Sequence, residues 1–200
     1  MHEHFVDLGR YVPGLACEIR YATDHNLTGH PLSGYTVPKA LGTVEMGNAL
    51  RLAMLEAKSK GYGLLVYDAY RPQKAVNDFI LWSAMPEDYL TKDEFYPEFP
   101  RDRLFSLGFL ARRSGHSRGS TIDLTLTENG EPLDMGTGFD FMGIESHVVW
   151  DGILPEHLHR RRILYDIMKT AGFRSYQNEW WHFTLENEPF PDTYFDFDIE

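Results

Sequence analysis

Two hundred residues, 42% of them hydrophobic and 14% aromatic, suffice for one domain (residues 1–200) with a substantial core and are too apolar for a disordered chain. A formal net charge of −11 leaves no phosphate-binding footprint, which argues against nucleic acid and anionic membranes as partners. The single cysteine, Cys17, rules out an intramolecular disulfide and a cysteine-based zinc cluster.

In chain order, His2 and His4 are expected to fray with the N-terminus, which carries no basic run followed by an apolar stretch. No segment approaches the ~20 apolar residues of a membrane span, so the cytoplasm is the expected compartment. Residues 11–38 are rich in Gly, Pro, Thr and Asn and read as turns, with a short extended piece at Glu18–Tyr21. Val44, Leu50, Met54 and Leu55 recur near helical spacing and predict a helix over Leu41–Lys60, with Gly61 as its cap. Gly63–Tyr67 reads as a buried strand running into Asp68-Ala69-Tyr70-Arg71. Pro72 then suits the first position of a helix to about Ser83. Pro86–Arg101 reads as an irregular surface loop and Ser120–Leu126 as an alternating strand. Pro155–Ala171 is helical, with Arg160, Arg161 and Arg162 as a solvated face and Gly172 as the cap; Phe173–Leu185 returns to strand character. Helices and strands segregate, so the fold class is α+β: a small mixed or mostly antiparallel sheet backed by helices.

Two short segments carry the chemistry. In Ser114-Gly115-His116-Ser117-Arg118-Gly119-Ser120-Thr121-Ile122-Asp123 a histidine sits in a loop of unusual backbone freedom just before a strand. Side chains alternate along that strand, so Ile122, Leu124 and Leu126 take the core face and Asp123 takes the other, beside the His116 loop. In Glu179-Trp180-Trp181-His182-Phe183-Thr184-Leu185 the same alternation puts Trp181, Phe183 and Leu185 inward and His182 opposite, on Asp123's side if the strands share a sheet. A lone His–Asp pair is also what an ordinary hydrogen-bonded pair looks like, and an aromatic strand is ordinary core. Together, with complementary faces and no cysteines to compete, the segments point to one zinc ion per chain on His116, Asp123 and His182. Three protein ligands and one open position describe a catalytic zinc site, since a structural one is closed by four. A carboxylate that is not a ligand can serve such a site as general acid and base, and Glu179 is the candidate. Glu179 and His182 differ by three, however, so a regular strand would point them to opposite faces; Glu179 must lie in a turn or a bulge to serve the metal. Arg71, ending a buried strand, is the candidate cation for oxyanion stabilisation.

These motifs resemble the Ser-x-His-x-x-Gly-x-x-x-Asp and Glu-x-x-His motifs of the VanX-type D-alanyl-D-alanine dipeptidases. The resemblance extends over nearly the whole chain, through Ile19-Arg20-Tyr21-Ala22-Thr23, Asp68-Ala69-Tyr70-Arg71-Pro72, Phe139-Asp140-Phe141-Met142 and Tyr194-Phe195-Asp196-Phe197. It implies zinc on His116, Asp123 and His182, with Glu179 as base and later proton donor and Arg71 as transition-state stabiliser. Asp140 would meet the substrate ammonium, and Tyr21, Tyr35 and Ser114 would line the rest of a dipeptide pocket. It also implies the α+β fold shared by zinc D,D-carboxypeptidases and the hedgehog signalling domain. Ser120-Thr121 stands where Ser-Ala is frequent, and the turn Thr127–Leu133 is short; neither touches a proposed ligand. The alternatives are a murein D,D-carboxypeptidase or endopeptidase acting on longer peptides, and a non-catalytic zinc-binding module, for which Glu179 and Arg71 would have no use. A homo-oligomer is compatible with everything in the sequence.

Overall fold

The computed structural model describes residues 2–200. The chain runs β1 (Phe5–Asp7), α1 (Leu8–Tyr11), β2 (Ala16–Cys17), β3 (Leu41–Thr43), α2 (Val44–Ser59), β4 (Gly63–Asp68), α3 (Gln73–Ala84), α4 (Lys92–Phe95), β5 (Thr121–Glu128), β6 (Glu131–Pro132), α5 (Pro155–Thr170), β7 (Phe173–Tyr176) and β8 (Glu179–Leu185). The architecture is α+β. The main sheet has the order β2-β4-β5-β8-β7, with β6 paired to the end of β5, and only β2–β4 is parallel. A separate antiparallel pair, β1–β3, sits beside it.

Helices α2 and α5 pack against each other and against β4, β5 and β7. Leu64 and Val66 of β4 pair across to Leu126 and Leu124 of β5, and Ile122 pairs with Phe183 of β8. All six side chains are buried, so these alternate positions form the apolar face of the sheet. The opposite positions are buried too: Thr121, Asp123 and Thr125 are each at most 2% exposed. The sheet is therefore covered on both sides, and its polar face is an interior rather than a solvated surface. Thr121 and Thr184 satisfy each other there through their hydroxyls at 2.9 Å.

Most predicted elements appear, with instructive shifts. The 41–60 segment divides into β3 and α2 because Thr43 caps the helix, its Oγ1 accepting from the Met46 N–H at 3.3 Å. Pro72 stands one place before α3, as its N-cap. The extended piece near residue 18 is at Ala16–Cys17, and Arg20–Ala22 is a 3-10 turn. Within the 86–101 segment only α4 is regular.

Two expectations are corrected. His2 does not fray: its ring stacks on Phe197 with centroids 5.1 Å apart, inside an aromatic cluster with Phe5 and Phe195. Arg161 is not solvated but 2% exposed, and it donates to the carbonyls of Met135 (2.7 Å), Glu145 (2.8 Å) and His147 (2.6 Å). A guanidinium has donors enough to satisfy three loop carbonyls at once, which a helix-face reading cannot foresee. The 190–199 segment runs back over the molecule as a strap. The Phe195 N–H donates to the Ser117 carbonyl at 2.8 Å, the Gln73 N–H to the Phe195 carbonyl at 3.1 Å, and the Ile199 N–H to the Gly34 carbonyl at 2.7 Å. Among the described residues no helix is long and apolar enough to cross a membrane.

Candidate active site

The antiparallel register places Asp68 of β4 opposite Asp123 of β5, and Asp123 opposite His182 of β8. Three polar side chains thus stand in a row on one face, in a wall otherwise closed to water. The fourth member comes from the loop before β5. Ser114 caps a short 3-10 turn, Gly115–Arg118, its Oγ accepting from the His116 N–H at 3.2 Å. Gly119 ends the turn at φ +83, and a Cβ at Gly115 would lie 2.7 Å from Thr121 Oγ1. The glycines of the motif are there because the backbone turns and approaches too closely for side chains.

The turn aims the His116 ring at Asp123 and His182. His116 Nε2 lies 3.2 Å from Asp123 Oδ2 and 3.3 Å from His182 Nδ1, and His182 Nδ1 lies 3.1 Å from Asp123 Oδ1. Among the described residues this is the one cluster of three His, Cys, Asp or Glu side chains whose ligand atoms converge. Ligands about 2.0–2.1 Å from a tetrahedral zinc would be separated by roughly 3.3 Å, so the donors sit at the right mutual spacing. On its far side His116 Nδ1 lies 2.7 Å from the Ala69 carbonyl, which requires the proton on Nδ1 and leaves the Nε2 lone pair facing the cluster. Asp123 Oδ1 is buried without a hydrogen-bond donor, an orphan that a cation would satisfy. Asp123, Asp140 and Glu179 line the space and Asp68 stands behind it, with Arg71 the one guanidinium in the lining; so acidic a setting suits a cation.

The spacing problem at Glu179 is resolved by backbone irregularity. Ser175 pairs with Phe183, but the next residue, Tyr176, pairs with Glu179, so the β7–β8 register slips at this point. Glu179 opens β8 on the same side as His182, with Oε2 3.3 Å from His182 Nδ1. Burial pushes its pKa up to about 7. Burial disfavours the charged form of His182 as well, but the negative charge of Asp123 beside it outweighs this and raises its pKa. Asp123 is held well below the usual carboxylate range: burial opposes this, and the two histidines outweigh it.

Arg71 lies 3.6 Å from Asp123 Oδ2, and its guanidinium is laid over the rings of Tyr21 (4.6 Å) and Phe79 (5.3 Å). Asp68, absent from the residues singled out by sequence, fixes it: Oδ2 accepts from Arg71 Nε at 3.0 Å and lies 2.9 Å from Nη2. The same oxygen is 3.4 Å from His116 Nδ1. Tyr35, expected at the pocket wall, stands a layer behind instead, donating to Asp68 Oδ1 at 2.6 Å. Tyr21 and Ser114 do line the cavity, whose volume is about 270 Å³. Asp140 enters from the loop that Arg161 holds, with φ +63, and accepts from the Tyr21 hydroxyl. Burial raises its pKa to about 8, against the opposing effects of Tyr21 and Arg71. The wall formed by Phe109 to Ala111 and Tyr176 lies outside every motif of the sequence, and Met142 enters it only as part of the Phe139–Met142 segment.

Three convergent donors with an uncommitted carboxylate at their edge and a guanidinium opposite are the layout of a hydrolytic metallopeptidase. The chain belongs to the D-ala-D-ala dipeptidase family, Peptidase M15, whose model matches residues 1–200. It is 46% identical over 201 residues to a D-alanyl-D-alanine dipeptidase of Enterococcus faecalis, with 100% of each chain covered. A protein of the same name from Enterococcus faecium is 45% identical over 98% of each chain. A third, from Streptomyces coelicolor, is 46% identical over 98% of this chain and 96% of its own.

Proposed function

We propose that the protein hydrolyses free D-alanyl-D-alanine to two D-alanines, with zinc held by His116, Asp123 and His182. The observation that carries this reading is the donor triangle with edges of 3.1–3.3 Å and Glu179 uncommitted at its margin. When bound, zinc supplies the Lewis acidity that polarises the scissile carbonyl and eases ionisation of water. The protein's own residues do the rest. Glu179 takes the proton of the attacking water through a carboxylate oxygen as the new C–O bond forms. It returns that proton to the amide nitrogen as the C–N bond breaks; the water's second proton, left on the new carboxyl, then passes to the freed amine, so each D-alanine ends as a zwitterion. Arg71, held from behind by Asp68, faces the oxygen on which negative charge develops. Asp140 and the Tyr21 hydroxyl receive the substrate ammonium, and Ser114 lines the opposite part of the pocket.

So small a substrate offers little remote binding energy, so charged groups at both termini must supply the grip. N-acetylated and C-amidated D-alanyl-D-alanine are therefore expected to be poor substrates; turnover comparable to that of the free dipeptide would refute the terminal-charge account. A cavity of about 270 Å³ lies at the small end of ligand pockets, which favours a dipeptide over a murein stem peptide. The test is D-alanine release by wild type and Glu179→Ala, with zinc content measured alongside. Wild type should release D-alanine, and the variant should keep about one zinc while losing about 10³-fold or more in rate. A zinc-loaded wild type that leaves the dipeptide intact, yet trims a pentapeptide stem, would move the assignment to the murein peptidases.

A further inference from the structure

Tyr176 makes the outer lip of the cavity. It closes β7 at the register slip, where it pairs with Glu179. Its ring meets the His182 imidazole at 65°, with centroids 5.7 Å apart. Its hydroxyl reaches the opposite wall and donates to the Gly108 carbonyl at 3.3 Å, while Asn178 Nδ2 donates to the same hydroxyl at 3.3 Å. Gly108 opens the run to Ala111 that forms this wall, and Gly108 itself is at φ +84. One side chain thus spans the mouth from the ligand His182 to the facing loop. At 39% exposed, it has solvent on its other side.

We propose that Tyr176 is the residue that restricts the site to two-residue peptides. The inference rests on the dipeptidase reading and adds the element that sets substrate length. A dipeptide fits behind the ring, whereas a chain continuing past it must displace both the ring and its contact with Gly108. The tip is tied only by two long, exposed hydrogen bonds, so the restriction comes from the bulk of the ring and depends on this one side chain. The same slip that turns Glu179 to the metal site turns Tyr176 across the mouth, so reactivity and length selection share one backbone feature.

The test compares kcat/KM for D-alanyl-D-alanine with that for tri-D-alanine, which keeps the free ammonium that Asp140 would meet and changes only length. In Tyr176→Ala and Tyr176→Leu the tripeptide-to-dipeptide ratio should rise roughly tenfold or more over wild type. Zinc content and melting temperature are followed in parallel. The leucine variant keeps apolar packing against His182 while removing the tip that reaches Gly108, so it stands in if the alanine variant fails to fold. A ratio within twofold of wild type in the folded variants, with the dipeptide still cleaved, would overturn the proposal alone. A wild type that cleaves neither peptide would overturn the dipeptidase reading and this inference with it.

Discussion

Asp68 shows how a single carboxylate can organise a site without touching substrate. It is fully buried, and its partners are Tyr35, Arg71 and His116. Outer-layer carboxylates of this kind typically contribute 10–100-fold to activity or metal affinity. Asp68→Asn keeps the shape and loses the charge that holds Arg71, so kcat should fall by roughly 10–100-fold with a smaller change in KM. Steady-state kinetics with zinc content measured for each sample checks this; losses in kcat and zinc occupancy of equal size would mean that Asp68 acts only on the metal. Asp140 supports a prediction about pH. Its pKa rises from 3.8 to about 8 on folding, so the folded protein retains a proton that the unfolded chain gives up. Stability from this group therefore declines as pH rises from about 4 to about 8 and levels off above that. Asp140→Asn should flatten that part of the stability–pH curve in urea titrations. An unchanged slope would show that Asp140 is already ionised in the fold.

Among elements, the β7–β8 pair and the 135–147 loop matter most. Strand alternation correctly placed Asp123 and His182 on one face, because the period of two survives wherever the register is regular. At Glu179 alternation alone points the wrong way, and a role at the metal requires the turn or bulge that the β7–β8 register slip supplies, a slip whose exact place leaves no mark in composition. The histidine loop was legible because its glycines answer to local geometry. The loop bearing Asp140 was not, because its anchor is Arg161, 21 residues away in sequence and seemingly one of three equivalent arginines. Arg161→Met would strip three carbonyls of their donor at about 1–3 kcal/mol for each left unpaired, reduced by whatever water reaches them. The variant should lose about 2–4 kcal/mol in urea unfolding, and KM for the dipeptide should rise more than kcat falls, since the proposed ammonium site, Asp140, rides on that loop. An unchanged KM would separate the loop from substrate binding.

For the whole molecule, the α+β class, the strand–helix order and the two motifs could be read from the sequence because each rests on local periodicity or on short spacing. The pocket's far wall and the strap could not, since they depend on contacts between segments distant in sequence. The concentration of buried carboxylates also makes the fold depend on what occupies the site. With free zinc at a hundredfold excess over Kd, binding to the folded state alone adds about 2.7 kcal/mol, or roughly 5–11 °C in Tm for a chain of this size. Chelation should lower Tm by that order, as read by calorimetry, and zinc should restore it. A Tm indifferent to chelator would count against zinc on the three donors.

The strap also carries a consequence for biosynthesis. Phe195 holds the carbonyl of Ser117, beside His116, and residues 195–199 tie to Gln73, Gly34 and Tyr70. These residues are synthesised after His116, Asp123, Glu179, His182 and the whole main sheet. The histidine turn thus takes its outer support from a segment made after every strand of the sheet it faces.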